Sequence, residues 1–374
     1  MSLVNHRWRD FDIPLAATAI VLMCFGVVAI WSAHGGGNLT LENEGIRQAV
    51  FGIGGVALML IVAGMDYRFL ASLSWFIYFA ALALLALVLI PGVGVEISGS
   101  RRWFQIGSQF AVQPSEFGKL ATIICLGAFI ASRGREMRLL GNFLVSLLIV
   151  AAPAALVFRE PDLGTATVYG TIWASMMLVA AVRWIHLAGL ALLSIPGAVV
   201  AWFFILHDYQ RERLLISFNP EADPTGAGYN ILQARMSIGS GGLFGYGLQG
   251  GTQSRLELLK VRESDFIFAH ASGMVGFVGI MGLFACYVLL LWRCLRVVET
   301  ARDTFGQCVA IGVTAALFYQ AFVNMGMNMG IMPVTGITLP LVSQGSSSLW
   351  TFLISLGLLQ SILMHHRKLA FQPE

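Results

Sequence analysis

Charge is what this chain has least of. Of its 374 residues only 11% are Asp, Glu, Lys or Arg, and 57% are hydrophobic, whereas soluble domains carry about 25% charged residues. With a mean hydropathy of +0.76, that excludes an ordinary soluble domain and points to an integral membrane protein. The net charge is only +3, and no nucleic-acid partner is expected. Cysteine is scarce as well. The five cysteines, Cys24, Cys125, Cys286, Cys294 and Cys308, lie in or beside apolar runs without a CxxC pair or a Cys/His cluster. Neither a disulfide framework nor a zinc site is indicated, and the seven histidines show no ligand spacing. The alternating segments of about ten residues that mark a membrane barrel are missing. There is no low-complexity tail and no visible internal repeat, which speaks against a transporter built from inverted halves. The first apolar run, Leu15 to Trp31, lacks a small-residue cleavage site and is expected to stay as a span.

Long apolar runs are what the chain does have. Ten spans are predicted, at Ile13–Ser32, Ala49–Gly64, Leu73–Ile90, Phe117–Ala131, Phe143–Phe158, Thr165–Val182, Ala188–Leu206, Phe266–Trp292, Gln307–Met325 and Leu349–Met364. Helices satisfy their own backbone in lipid, so the expected fold is an all-α polytopic bundle. It forms one domain over residues 1–374, with a large structured extracytoplasmic loop at about 207–265. Basic residues gather in one set of short loops, at Arg7, Arg9, Arg68, Arg133, Arg135, Arg138, Arg183, Arg293, Arg296, Arg302, Arg367 and Lys368. The positive-inside rule puts these loops and both termini in the cytoplasm.

Four outward segments carry the polar content: Gly92–Ser115, Arg159–Thr165, His207–Asp265 and Asn328–Ser348. Pro and Gly punctuation in the large loop argues for tight turns, and Ile231–Ile238 patterns as a short amphipathic helix lying along the interface. Asp265 closes that loop at the edge of a span. An acid there is either a cap stabilising a helix start or a general base whose partial burial raises its affinity for protons. Glu116 and Lys119 lie three apart on one helical face. They either neutralise each other, or Lys119 joins Arg101 and Arg102 in gripping an anionic headgroup such as a diphosphate. Trp103 is an interfacial anchor or an apolar face for a sugar ring. Arg159, Glu160 and Asp162 are expected to satisfy one another, and His270 to be packed or hydrogen-bonded. These residues allow a glycosyl or phosphoryl transferase acting on a lipid-linked substrate, or a transporter or flippase for such a lipid.

The motifs resemble the SEDS family, the polytopic peptidoglycan polymerases that include RodA and FtsW. The resemblance rests on Gly99-Ser-Arg-Arg-Trp103, Gln113-Pro-Ser-Glu116 with Lys119, Pro161-Asp-Leu-Gly-Thr165 and Asn219-Pro-Glu. It continues in Gly226-Ala-Gly-Tyr229, Gly239-Ser-Gly-Gly-Leu-Phe-Gly245, Ser264-Asp-Phe-Ile-Phe-Ala269, Met332-Pro-Val-Thr-Gly336 and Leu339-Pro340 with Ser343. Met65-Asp66-Tyr67-Arg68 is closer to the RodA branch. The resemblance implies a lipid-dependent glycosyltransferase bundle in the bacterial cytoplasmic membrane, with lipid II as substrate. It implies partners in a class B penicillin-binding protein that crosslinks the product and in other membrane proteins of the elongation complex. Asp265 matches the family's essential acid and is expected to activate the acceptor hydroxyl. Arg101, Arg102, Trp103, Glu116, Lys119, Asp162, Ser343 and Gln344 are the expected substrate-binding residues, and a divalent cation, Mg or Mn, is a candidate cofactor. Two departures stand out: Gly273-Met274 replaces a usual Glu pair, and Ser343-Gln344-Gly345-Ser346-Ser347 replaces Ser-Tyr-Gly-Gly-Ser.

Overall fold

The computed structural model describes residues 8–35, 40, 42–97, 100–106, 110–226, 228–256 and 258–365. Gly99 and Ala227 of the motifs, and Arg7, Arg367 and Lys368 of the orientation argument, lie outside the described residues.

Seven helices precede the large loop. They are α1 (Ile13–Ala33), α2 (Glu44–Gly64), α3 (Arg68–Val88), α4 (Pro114–Arg133), α5 (Leu140–Arg159), α6 (Leu163–Val179) and α7 (Trp184–Val200). The loop holds α8 (Asp208–Phe218) and α9 (Tyr229–Ser240), and α10 (Ile267–Thr300), α11 (Thr304–Asn328) and α12 (Ser346–Met364) complete the chain. Among the described residues nine helices are long and apolar enough to cross a membrane. The tenth, α6, is a shorter apolar helix. The protein is therefore a multi-pass membrane protein of ten apolar helices.

Short polar side chains set several helix starts. Asp12 accepts from the Leu15 N–H at 3.0 Å, Asn43 from Gly45 at 2.9 Å and Asp303 from Gly306 at 2.7 Å, each satisfying a backbone donor that the first turn leaves open. The core lies around α12, α4 and α11, where 83%, 72% and 72% of the most apolar window is buried. These three are also the least apolar of the nine long spans, as helices that touch other helices in place of lipid can be. At the other extreme α7 buries none of its residues. The ends of the chain are tied together: the Asp12 N–H donates to Gln360 Oε1 at 2.9 Å, Gln360 Nε2 donates back to the Asp12 oxygen at 2.8 Å, and Arg293 Nε donates to the Asp12 carboxylate at 2.9 Å.

Three local features depart from the sequence expectation. The segment Gly92–Ser115 is not a plain loop but a three-stranded antiparallel sheet, β1 (Val95–Ile97), β2 (Ser100–Ile106) and β3 (Phe110–Val112), in the order β1-β2-β3. Because neighbouring strand residues point to opposite faces, it separates Arg101 from Arg102. The expected interfacial helix is α9, but it docks on α10: Ser237 Oγ donates to the Ala269 oxygen at 2.9 Å, and Ile231 and Ala234 are buried. Finally, α10 is broken at Gly276 (φ 66°, ψ −169°). There the Phe277 and Val278 amides donate to Gly242 and Leu243 of the loop at 2.9 and 3.0 Å. A Cβ at Gly276 would sit 2.3 Å from the Gly245 nitrogen, so both the dihedrals and the close approach demand glycine.

Candidate active site

Where the sheet, the loop helices and the turn before α6 meet above the bundle, they enclose a cavity of about 380 Å³. This falls within the roughly 300–1,000 Å³ usual for small-molecule sites. Seven of the residues singled out from the sequence line it: Asp265, Arg102, Trp103, Glu116, Lys119, Asp162 and Gln344.

Asp265 is not a helix cap. The N-cap of α10 is Phe266, with no side-chain cap bond, and the Asp265 carboxylate is half-buried against the cavity. Its carboxylate accepts from Ser264 Oγ at 3.2 Å. Desolvation pushes its pKa above the ordinary carboxylate value, with the Asp162 charge adding to the rise, and the Ser264 bond, Arg102 and Arg213 pulling the other way. Gly336 packs beside this carboxylate, where a Cβ would make ordinary contact with Asp265 Oδ2 at 3.6 Å, and its φ of +73° is what favours glycine. The Asp265 backbone is clamped from below. Its oxygen accepts from Asn324 Nδ2 at 3.1 Å and from Asn328 Nδ2 at 3.0 Å, and Asn328 Oδ1 takes the Ala269 N–H at 3.1 Å. These asparagines stand four apart on one face of α11. The sequence reading passed over them, although two amides in an otherwise apolar run are a legible signal.

Arg102 donates to Asp162 Oδ2 at 3.0 Å, and Asp162 also N-caps α6 through the Thr165 N–H at 2.9 Å. The cationic side of the cavity is therefore fixed to a helix start. Lys119 and Glu116 form a buried pair at 2.9 Å, leaving Glu116 Oε2 without a partner. Two contributors from the loop, Gln210 and Arg213 on α8, also line the cavity; nothing in their spacing singled them out.

Arg101 and Ser343 are not in the lining. Arg101 pairs with exposed Glu96 at 3.1 Å on the far face of β2. Ser343 is buried, donates to the Ser264 oxygen at 2.6 Å and accepts from the Leu339 N–H at 2.8 Å, so it braces the backbone just before Asp265. Gln344 adds to this brace through its N–H to the Glu263 oxygen at 2.9 Å, and its amide bonds Glu44. The expected mutual satisfaction of Arg159, Glu160 and Asp162 does not form. Arg159 is exposed, Asp162 is taken by Arg102, and Glu160 is buried with neither carboxylate oxygen partnered. Burial, with a smaller push from Asp162, raises the Glu160 pKa to about 8 against the pull of Arg102. His270 is buried away from the cavity. Ser32 Oγ donates to the Leu248 oxygen, so His270 Nε2–H donates to Ser32 at 3.2 Å and Nδ1 accepts from Ser254 at 2.7 Å. Among the described residues no three His, Cys, Asp or Glu side chains come together as metal ligands.

Fold and cavity define a polytopic membrane protein with a half-buried acid beside fixed cations at one mouth of its bundle. Comparison with known proteins narrows that class. The family described as cell cycle protein, FtsW/RodA/SpoVE, matches residues 13–368, and the chain belongs to it. It is 36% identical over 360 residues to the Escherichia coli K12 peptidoglycan glycosyltransferase MrdB, spanning 96% of this chain and 95% of that protein. With Bacillus subtilis stage V sporulation protein E it shares 34% identity, over 95% and 98% of the two chains. Among solved structures, a chain from a peptidoglycan synthase complex coordinating polymerization and crosslinking superposes with a TM-score of 0.81 at 30% identity, covering 95% of this chain and 98% of that one. The Thermus thermophilus rod shape determining protein RodA superposes with a TM-score of 0.68 at 28% identity, over 95% and 96%.

Proposed function

We propose that this protein is a peptidoglycan glycosyltransferase that polymerises lipid II into β-1,4-linked strands for wall elongation and cell shape. Its relatives are named for that activity and for rod shape. The observation that carries the reading is the half-buried Asp265 carboxylate facing a cavity whose other walls hold Arg102, Lys119 and Arg213.

In this mechanism Asp265 accepts the proton of the acceptor sugar's 4-hydroxyl. The freed oxygen forms a bond to the donor anomeric carbon, and the bond from that carbon to the diphosphate breaks. Undecaprenyl diphosphate leaves with the electron pair. One displacement inverts the α-linked donor to a β-glycoside, with no covalent glycosyl-enzyme, as in the single-displacement glycosidases. A diphosphate needs charge stabilisation in place of a general acid. Arg102 and Arg213 supply it near Asp265, Lys119 supplies it on the Glu116 side of the cavity, and a divalent cation, Mg or Mn, would add to it when bound with the substrate diphosphate. Trp103 offers a ring face to a sugar. α7, which buries none of its residues, continues through a π-helical turn at Ala201–Ile205 to α8, which lines the cavity, and this side offers a polyprenyl tail a lipid-facing route to it. The active site faces outward, both termini face the cytoplasm, and a class B penicillin-binding protein crosslinks the strand.

The test is polymer formation by the purified protein from lipid II with divalent cation, read as glycan length. Polymer is expected from the wild type and none from folded Asp265→Ala. Polymer made equally well by that variant would sink the assignment of the base.

A further inference from the structure

At the end of the bundle away from the cavity, two short connections carry four arginines. Helix α4 starts beside the cavity with Glu116 and ends at Arg133, where the turn Gly134–Arg138 adds Arg135 and Arg138. Arg183 closes the link from α6 to α7. The one acid in these two connections is Glu136, and Arg133 takes it at 3.7 Å. Arg135, Arg138 and Arg183 are exposed, with no ion-pair partner among the described residues.

The two connections lie at one level and side by side. The His186 ring, in the first turn of α7, packs 5.3 Å from the Phe143 ring, in the first turn of α5, and Arg183 and Arg138 stand just ahead of those turns. Next to them the surface becomes apolar at once: Leu139, Leu140, Trp184 and Ile185 are each more than half exposed. Helix α7 leans on the rest of the fold only at this end. Partial burial along it is confined to His186, Leu187 and Leu190, and residues 191–200 are all exposed.

Like charges gathered without a counter-charge repel one another, and an anion among them removes that cost. The guanidinium fork matches phosphate oxygens. A soluble phosphate or an acidic peptide would leave the adjoining leucines and Trp184 unused. A phospholipid with an anionic headgroup uses both surfaces, its phosphate on the arginines and its acyl chains along α5 and α7. The positive-inside rule puts this end in the cytoplasmic leaflet, whose surface is anionic.

We propose that Arg135, Arg138 and Arg183 form a binding site for an anionic phospholipid of the cytoplasmic leaflet, whose acyl chains complete the seat of α7 against α5. The site goes beyond the glycosyltransferase reading and does not depend on it.

The test is the melting temperature of the purified protein in neutral detergent, titrated with phosphatidylglycerol, phosphatidylcholine or inorganic phosphate. Phosphatidylglycerol is expected to raise it and the other two to leave it unchanged, with added salt shrinking the rise. Replacing all three residues, by Arg135→Gln, Arg138→Gln and Arg183→Gln, should weaken phosphatidylglycerol binding about 100-fold, at about fivefold per arginine, and abolish the rise. Lys at the same three positions keeps the charge and should recover most of the binding. Arg296→Gln with Arg302→Gln removes two exposed arginines from other cytoplasmic positions and should keep the rise in full. Wild-type affinity in the triple Gln variant would overturn the proposal. So would a rise that phosphatidylcholine or phosphate matches, or an equal loss in the Arg296 and Arg302 variant, which would mark diffuse positive charge in place of a site.

Discussion

Asn328 on α11 donates to the backbone oxygen of Asp265 at 3.0 Å and accepts the Ala269 N–H at 3.1 Å, bridging the turn before α10 to its first helical residues. Replacing it by Ala strands the buried Ala269 N–H and leaves the Asp265 oxygen with one of its two side-chain donors, Asn324. Asn328→Ala is expected to cost about 1–3 kcal/mol and to lower kcat about tenfold or more while Asp265 stays in the chain. Melting curves and initial polymerisation rates check both.

The two neighbouring arginines of β2 should behave differently. The Arg101–Glu96 pair is exposed, and such pairs contribute about 0–1 kcal/mol, so Arg101→Ala should keep both stability and activity. Arg102→Ala removes a cavity cation and leaves Asp162 without its ion-pair partner. It is expected to lower kcat/KM at least tenfold in the same assay.

Lys119→Ala leaves the Glu116 carboxylate buried and unpaired, at a cost of about 3–5 kcal/mol. The double variant Glu116→Gln with Lys119→Met removes both charges and should recover the fold. If Lys119 grips the diphosphate, the double variant stays inactive; full activity would reduce the pair to a structural one.

Asp265 predicts an acid limb in the rate profile. The base works only when ionised, and its pKa is raised, so activity should fall on acidification at a pH above the range of an ordinary carboxylate. The raised pKa also means that ionised Asp265 weakens the fold at neutral pH. Asp265→Asn should therefore be inactive and no less stable than the wild type, by melting temperature at pH 7.

Glu160 gives a stability profile with a stated window. Its folded pKa of about 8 exceeds the unfolded value, which is about 4.3. The protonated carboxyl thus contributes stability that is fully present below the unfolded value and is lost as pH rises through about 8. Melting temperatures taken from pH 5 to 9 should fall for the wild type and stay flatter for Glu160→Gln.

The ten spans were legible because lipid demands long apolar runs, and even the polar-rich α4 kept enough of one. The short sheet was not, because a three-residue strand such as Val95–Ile97 is too brief for a period of two to show. Asp265 stood out by its place at the edge of an apolar span, with a cap and a base both open, and its motif turned the reading toward a base. What excludes it from capping α10 is that the N-cap is Phe266, a one-residue difference that spacing does not resolve. Asn324 and Asn328 were readable as buried amides on one face, but not their shared target, which lies 59 and 63 residues away. The isolation of Glu160 depended on Arg102 reaching Asp162 from a distant strand, a tertiary choice that the local run Arg159-Glu-Pro-Asp162 does not contain.

The break at Gly276 makes α10 two mechanical bodies. Its upper segment, carrying the turn of Asp265, accepts at the Gly273 oxygen from the Tyr246 N–H of the loop at 2.9 Å. Its lower segment opens with the Phe277 and Val278 amides bonded to Gly242 and Leu243, and is held farther down by Tyr287 to Pro340 and Arg293 to Asp12. Each segment is therefore anchored to the loop on its own side of the joint, so the register of the acid is set by the loop and α11 and not by one continuous rod of helix.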